Sequence, residues 1–483
     1  MPARAHIGLF PVVLIVGLIT GLRLVVLFYS QADIFAQEAQ YWLLGRRLEF
    51  GYYSEPPLLA WIIRATTDLA ASNAPFWIRL PAPVLHGLTA LILATVASRL
   101  QDARAAVWTA VTYLTLPLVS VGSLIISSDA VMAPIIALGL LFYLRLTDSG
   151  HLSDALLAGL SAGLAFMANY TGIYFLVCAA LATVFVPRFR ISAPNAVAFL
   201  AIFALVISPN IYWTLANDIT LAERTLKLVD WGGSGEGGIP LKFVALGEFL
   251  LSQFFAIGPF IFATLIFLPF ANRKPVRGGL LLFALPIIAL ACVQALFLRS
   301  TVNLAFAAYP AVSLVAVIWL AKEKSRWLWI SLLVNGSAAL GIGFLATQAE
   351  NLYLGRDQPI MAQYLGRDEI SREILDLADT YTGAAIVSDD PAILADLFLA
   401  GQDRNTLILS AQPIERSMNY YQRAYPLKPH SAPIALFVTT QKKVNCTTGS
   451  SREIAKLKTD QTAYAGTTLR VFRVSGACLR DLK

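Results

Sequence analysis

Apolar runs of about 20 residues, each long enough to cross a hydrocarbon core of about 30 Å, dominate the first 347 residues of the chain. Eleven such runs fall at roughly 7–29, 77–99, 105–126, 129–146, 154–168, 170–186, 196–214, 243–271, 278–298, 302–321 and 326–347. With 57% hydrophobic and only 14% charged residues, the chain reads as a polytopic membrane protein and not a soluble one. Arg4 precedes the first run, but Arg23 interrupts it and no small-residue cleavage site follows, so it reads as a span and not as a cleaved signal.

The cations recur in every second loop: Arg99 and Arg104, Arg145, Arg188 and Arg190, Arg273, Lys274 and Arg277, then Lys322, Lys324 and Arg326. The positive-inside rule makes those loops cytoplasmic, with the N-terminus inside and the C-terminus outside. The net charge of +7 is therefore a topology signal and no footprint of nucleic acid.

Carboxylates beside a bilayer are costly, and the loop from Asp33 to Pro57 holds Asp33, Glu38, Glu49 and Glu55 among many aromatics. Its first half reads as an interfacial helix over Gln37–Leu44, with Trp42 and Leu44 on an apolar side and Glu38 facing elsewhere. A solvated helix face is the plain structural account of Glu38. Pro56-Pro57 then opens a second short helix, Leu58 to Leu69, placing Glu55 at its entrance and close to Glu38 if the two helices fold back on each other.

Other polar residues gather on the outer side. Asp129 follows Ser127-Ser128 at the start of a span, where an N-cap is the commoner reading and a site carboxylate the other. Asn169, at the turn before Tyr170-Thr171, reads as a helix C-terminus first and a ligand contact second. Arg79 and Arg299 lie near outer span ends, where they either snorkel to headgroups or hold a lipid phosphate. Ser208-Pro209 predicts a kink. The glycine-rich loop 217–240 reads as a mobile gate and matches no phosphate loop.

Beyond residue 347 the composition turns soluble. β-type patches at 384–387, 406–409, 434–438 and 469–474 alternate with helical stretches at 369–380 and 391–400, the latter started by Asp390-Pro391. Ser450-Ser451-Arg452-Glu453 fits a capping box. The division is a transmembrane region, 1–347, and a small α/β domain, 348–483, standing outside as a lid or docking domain. Cys446 and Cys478 lie there and are candidates for a disulfide, whereas Cys178 and Cys292 read as packed thiols within spans.

The segments Glu38-Ala39-Gln40-Tyr41-Trp42, Gly51-Tyr52-Tyr53-Ser54-Glu55-Pro56-Pro57-Leu58, Ser127-Ser128-Asp129-Ala130, Gly163 to Thr171 and Gly258-Pro259 together resemble the bacterial branch of the dolichyl-phosphate-mannose protein mannosyltransferase superfamily. Within that branch it is similar to lipid A aminoarabinose transferases and rhizobial galacturonosyltransferases. The resemblance implies a GT-C fold of about eleven transmembrane helices with interfacial helices in the first outer loop. It also implies an inverting glycosyltransferase of the bacterial inner membrane, with its C-terminal domain periplasmic. The donor would be a polyprenyl-phosphate sugar and the acceptor a lipid A, lipopolysaccharide or other envelope glycolipid. In relatives the first loop reads Asp-Glu, that Asp being the proposed base; here it reads Gln37-Glu38. A phosphate-binding Lys of relatives is replaced by Ser54-Glu55 or Asn169.

The chemistry implied is attack of an acceptor oxygen on the anomeric carbon, which needs a carboxylate near the acceptor and positive charge or a metal at the departing phosphate. Glu38 is the first candidate base, Asp33 the second, and Asp129 the third catalytic carboxylate. Gln37, Tyr41, Ser54, Glu55, Arg79, Asn169, Tyr170 and Arg299 are the candidates for binding donor and acceptor. Asp129 and Glu55 are the pair that could share a divalent cation, the one cofactor considered. A flippase for polyprenyl-linked glycans and a silent glycolipid-binding paralogue are the alternatives; the first would be expected to carry an internal repeat, which the chain lacks.

Overall fold

The structure is a computed structural model and describes residues 10–217, 241–270, 275–297, 301–354, 358–412, 419–428 and 431–482. Two compact units are present: one of residues 1–26, 55–59 and 79–343, the other of residues 27–54, 60–78 and 344–483. The first outer loop thus clusters with the C-terminal segment, far away in sequence.

Among the described residues, seven helices are long and apolar enough to cross a membrane: Phe10–Phe28, Pro75–Leu100, Ser128–Ser149, Ala193–Ala216, Gly278–Phe297, Val302–Glu323 and Ser325–Thr347. The runs at 154–168 and 170–186 form shorter apolar helices, Leu152–Ala168 and Tyr170–Phe185. Two runs expected as single spans are broken. The run 105–126 divides into Ala103–Thr115 and Pro117–Gly122, because Pro117 has no N–H to continue the ladder. The run 243–271 turns by 115° between Phe243–Ile257 and Pro259–Phe270.

That turn has a local cause. Gly258 adopts φ +83°, where a side chain is strained, and a Cβ there would collide with the Asn335 amide. Asn335 Nδ2 also donates to the carbonyl of Ile257, 3.1 Å away, so the end of the first arm is held by a buried side chain from the Ser325–Thr347 helix. Pro209, by contrast, lies inside the unbroken Ala193–Ala216 helix.

Arg23 is buried within the first span, where a charge needs partners. Its guanidinium donates to Ser123 Oγ at 2.8 Å, to Ser120 Oγ at 3.2 Å and to the Leu114 carbonyl. Leu114 lies in the last turn before the Pro117 break, Ser120 in the short helix after it, and Ser123 at that helix's end.

In the second unit a short antiparallel pair, β1 (Tyr353–Leu354) and β2 (Gln358–Pro359), precedes a five-stranded sheet that runs β4-β3-β5-β7-β6, built from β3 (Ala384–Ser388), β4 (Ile408–Ser410), β5 (Ile434–Thr439), β6 (Ser451–Lys456) and β7 (Arg470–Ser475). The β3 pairs with β4 and β5 are parallel, and those strands read as near-continuous apolar runs because helices cover such sheets. The pairs of β7 with β5 and β6 are antiparallel. The edge strand β6 is the segment expected as a capping box; Ser451 and Glu453 sit in its ladder, and its Arg, Glu and Lys suit a solvated edge. Asp390 does cap the Pro391–Ala400 helix, its Oδ1 accepting from Ala392 N at 2.7 Å. Cys446 and Cys478 form a disulfide with Cα atoms 5.2 Å apart, packed on Phe437, Phe472 and Val474, while Cys178 and Cys292 are free thiols.

A carboxylate clamped by two amides

The Ser128–Ser149 helix begins at a cap that is not Asp129. Ser127 is the N-cap, its Oγ accepting from Ala130 N at 3.3 Å. This relieves Asp129 of the role the sequence favoured, and its carboxylate turns to side chains from two distant segments. Asn169 Nδ2 donates to Asp129 Oδ1 at 3.0 Å, and Asn303 Nδ2 donates to Oδ2 at 2.8 Å. Asp129 is 6% exposed, beneath a half-buried Asn169 and an exposed Asn303, so the carboxylate lies one layer below the surface.

Each amide is itself held. Asn169 ends the Leu152–Ala168 helix, its N–H bonded to the Ala165 carbonyl at 2.9 Å, and its Oδ1 accepts from Thr171 N at 3.0 Å and Thr171 Oγ1 at 2.9 Å. With that oxygen engaged, the NH2 is directed at Asp129 and at Ser128 Oγ, 3.0 Å away. Asn169 therefore ends its helix, the commoner of its two readings, and turns its amide to Asp129. Asn303 sits in the 3-10 turn Val302–Ala308, which Gln253 secures. Gln253 Nε2 donates to the Val302 carbonyl at 2.8 Å, and its Oε1 accepts from Tyr309 at 2.9 Å, with Gln253 and Tyr309 both buried. Gln253, Tyr309 and Asn303 carry no signal in the sequence, since only their tertiary contacts mark them.

As a metal site this arrangement fits poorly. Both Asp129 oxygens face N–H donors, and among the described residues no group of three His, Cys, Asp or Glu side chains could hold an ion. Glu55 is half-buried and Ser54 exposed. Tyr170 is half-buried against Phe166, ring centroids 5.0 Å apart. Arg79 ends a short helix, Pro75–Arg79, and is 1% exposed, so it does not snorkel to a headgroup. Arg299 and residues 218–240 lie outside the described residues.

The other unit carries the first-loop carboxylates. The loop helix spans Ala36–Gly45 and packs on Pro391–Ala400, which buries Tyr41, Trp42 and Leu44. Glu38 is 1% exposed, so the solvated-face account fails. Its Oε2 accepts from Phe35 N at 2.9 Å, the return bond of a capping arrangement, while Gln37 one residue earlier is exposed. Asp33 is anchored on the C-terminal segment: its Oδ2 accepts from Arg367 N, 2.8 Å away, at the start of the Arg367–Asp379 helix. An acceptor is needed there because Gly366, the N-cap, has no side chain.

The Arg367 side chain extends this contact. Its Nη1 donates to Asp396 Oδ2 at 2.9 Å, its guanidinium lies over Phe35 and Tyr464, and Tyr464 donates to the same Asp396 oxygen at 2.5 Å. Burial pushes the Asp396 carboxyl up to about 6, against the opposing pull of Arg367 and Tyr464. Arg367, Asp396 and Tyr464 gave no sequence signal, since their convergence is tertiary.

The family described as dolichyl-phosphate-mannose-protein mannosyltransferase matches residues 54–213, which include Asp129 and Asn169. A lipid A galacturonosyltransferase, RgtD of Rhizobium johnstonii, is 34% identical over 464 residues, 95% of this chain and 96% of that protein. The crystal structure of ArnT from Cupriavidus metallidurans in the apo state superposes with a TM-score of 0.60 at 14% identity, covering 96% of this chain and 98% of that one. The same protein bound to undecaprenyl phosphate gives 0.59 at 14% identity with the same coverage. At that identity the likeness is one of fold.

Proposed function

Because the chain belongs to the dolichyl-phosphate-mannose-protein mannosyltransferase family of membrane glycosyltransferases, we propose that it moves a sugar from a polyprenyl-phosphate donor to a lipid A-type acceptor at the periplasmic face of the bacterial inner membrane. The alternation of cationic loops along the chain supports that orientation. The activity named for the 34% identical relative makes galacturonosyl the first sugar to test.

The observation that carries the reading is the buried Asp129 carboxylate, oriented by Asn169 and Asn303 in the first turn of a span. A carboxylate has about four lone-pair sites, so two amide bonds leave room to accept from an acceptor hydroxyl. Asp129 orients that hydroxyl for attack on the anomeric carbon, with inversion, and receives its proton as the new C–O bond forms and the bond to the lipid phosphate breaks. The departing polyprenyl phosphate carries the electron pair, and a guanidinium such as Arg79 balances its charge. Glu38, buried in the other unit, is the second carboxylate proposed for proton transfer. Reconstituted protein given labelled polyprenyl-phosphate galacturonate and lipid A tests the assignment directly: label should appear in lipid A, and its absence with every lipid A-type acceptor would reject it.

A further inference from the structure

The Gly258-Pro259 turn has no part in the Asp129 site, yet it shapes a second feature of the same unit. Beyond the turn, Pro259, Phe260, Ala263, Thr264 and Phe267 face Trp319, Leu320, Lys324 and Trp327 across a cavity of about 350 Å³. Small-molecule pockets span roughly 300–1,000 Å³, so this one is of ligand size. Its walls are apolar and aromatic, with Phe260 and Trp327 in ring contact at 5.5 Å. The Thr264 hydroxyl is bonded to the Phe260 carbonyl at 2.7 Å and offers little to a polar ligand. Lys324 brings the only charge to the lining.

The cavity is built and not a chance groove between sliding helices. Asn335, buried, holds the Ile257 carbonyl and fills the space beside Gly258, fixing where the second arm leaves the first. It is also remote from the clamp: the helix Tyr309–Glu323 starts beside Gln253 and reaches Lys324 after 15 residues, roughly 22 Å at 1.5 Å per residue.

Lys324 is exposed, and among the described residues it forms no ion pair. Lys322 and Arg326 flank it, and Trp327 and Trp329 follow with half or more of their surface exposed. Cations beside exposed tryptophans at the end of a span are the signature of a membrane interface, where basic side chains attract anionic headgroups. An apolar slot with a cation at its rim matches one class of molecule, an amphiphile with a chain and an anionic head.

We infer that this cavity is a binding site for an anionic phospholipid, its acyl chain between the Pro259–Phe267 and Tyr309–Glu323 helices and its phosphate on Lys324. The site is separate from that for the donor lipid, and the Gly258 turn exists to open it.

Native mass spectrometry of the full chain released from detergent, with phosphatidylglycerol and phosphatidylcholine as probes, tests this. The wild type should retain one phosphatidylglycerol and exclude phosphatidylcholine. Ala263→Trp, which fills the slot, should abolish retention; Lys324→Gln should weaken it roughly fivefold, and Lys324→Arg should preserve it. Equal retention of both lipids, unchanged binding in Ala263→Trp and Lys324→Gln, or displacement by undecaprenyl phosphate would each overturn the proposal. If a variant does not fold, wild-type protein with a photoreactive phosphatidylglycerol acyl chain decides. Labelling should fall within 259–267 or 319–327, and labelling confined elsewhere would refute the site.

Discussion

Asn303 reaches Asp129 across 174 residues of sequence and donates its side-chain amide to Oδ2 at 2.8 Å. The bond joins a short 3-10 turn to the first turn of a span, and Gln253 holds that turn from a third segment. Asn303→Ala removes a donor aimed at the proposed catalytic carboxylate and should lower kcat for sugar transfer about tenfold to a hundredfold. Gln253→Leu, which leaves Asn303 present but unsecured, should give a smaller fall in kcat with KM for donor little changed. Equal effects on KM and kcat in both variants would argue for loss of binding instead of misplacement.

The two first-loop carboxylates should respond differently. Glu38→Gln keeps an oxygen for Phe35 N, so thermal stability should hold, while transfer falls by about two to four orders of magnitude if proton transfer limits turnover. Asp33→Asn likewise keeps an acceptor for Arg367 N and should retain most activity, whereas Asp33→Ala should cost about 1 kcal/mol of stability through the lost cap. Kinetics and melting of the three variants, side by side, separate a chemical from a structural role. Wild-type turnover in Glu38→Gln alongside a collapse in Asp33→Asn would reverse the assignment.

Much of the fold was legible because span length and cation alternation are direct consequences of bilayer thickness and membrane charge. The breaks were not. Gly258-Pro259 lies in an unbroken apolar run, and the contact with Asn335, 77 positions on, that fixes the turn leaves no trace in the sequence. At the site, Asp129 was visible as a carboxylate at a span start, but the neighbouring Ser127 competed for the cap and only coordinates show which residue takes it. The burial of Glu38 was not legible, because periodicity on the Ala36–Gly45 helix cannot register the Pro391–Ala400 helix packed on it. Asn303, Gln253, Arg367 and Asp396 are ordinary polar residues in sequence and acquire meaning only through partners far away.

Asp396 makes a pH dependence testable. Its folded carboxyl titrates near 6, above the ordinary value of about 4, so between those limits the folded state binds a proton that the unfolded chain has released. This group therefore stabilises the fold at the acidic end, and the contribution is lost as pH rises through about 6. Asp396→Asn, uncharged and of the same shape, should flatten the dependence of Tm on pH between about 4 and 6 relative to wild type. Parallel wild-type and variant curves would show that Asp396 is not the responsible group.

Topology can be checked with single cysteines in a background where Cys178 and Cys292 are alanine. Asp403→Cys, at an exposed position of the C-terminal segment, should react with an impermeant thiol reagent in intact spheroplasts. Ser325→Cys, in the loop with Lys322, Lys324 and Arg326, should react only after permeabilisation. The opposite pattern would invert the orientation and place Asp129 on the cytoplasmic side.

The measurement that bears most directly on the account is the transfer rate of Asp129→Asn in proteoliposomes, using a labelled polyprenyl-phosphate donor and lipid A. An amide of the same size keeps one acceptor oxygen but cannot take a proton, and its NH2 faces the NH2 of Asn169 or Asn303. Transfer should fall by at least about a hundredfold while donor binding stays near wild type and the fold is kept at a cost of about 1–3 kcal/mol for the unpaired donors. A variant that binds donor and transfers sugar at the wild-type rate would contradict the account and remove Asp129 from the chemistry.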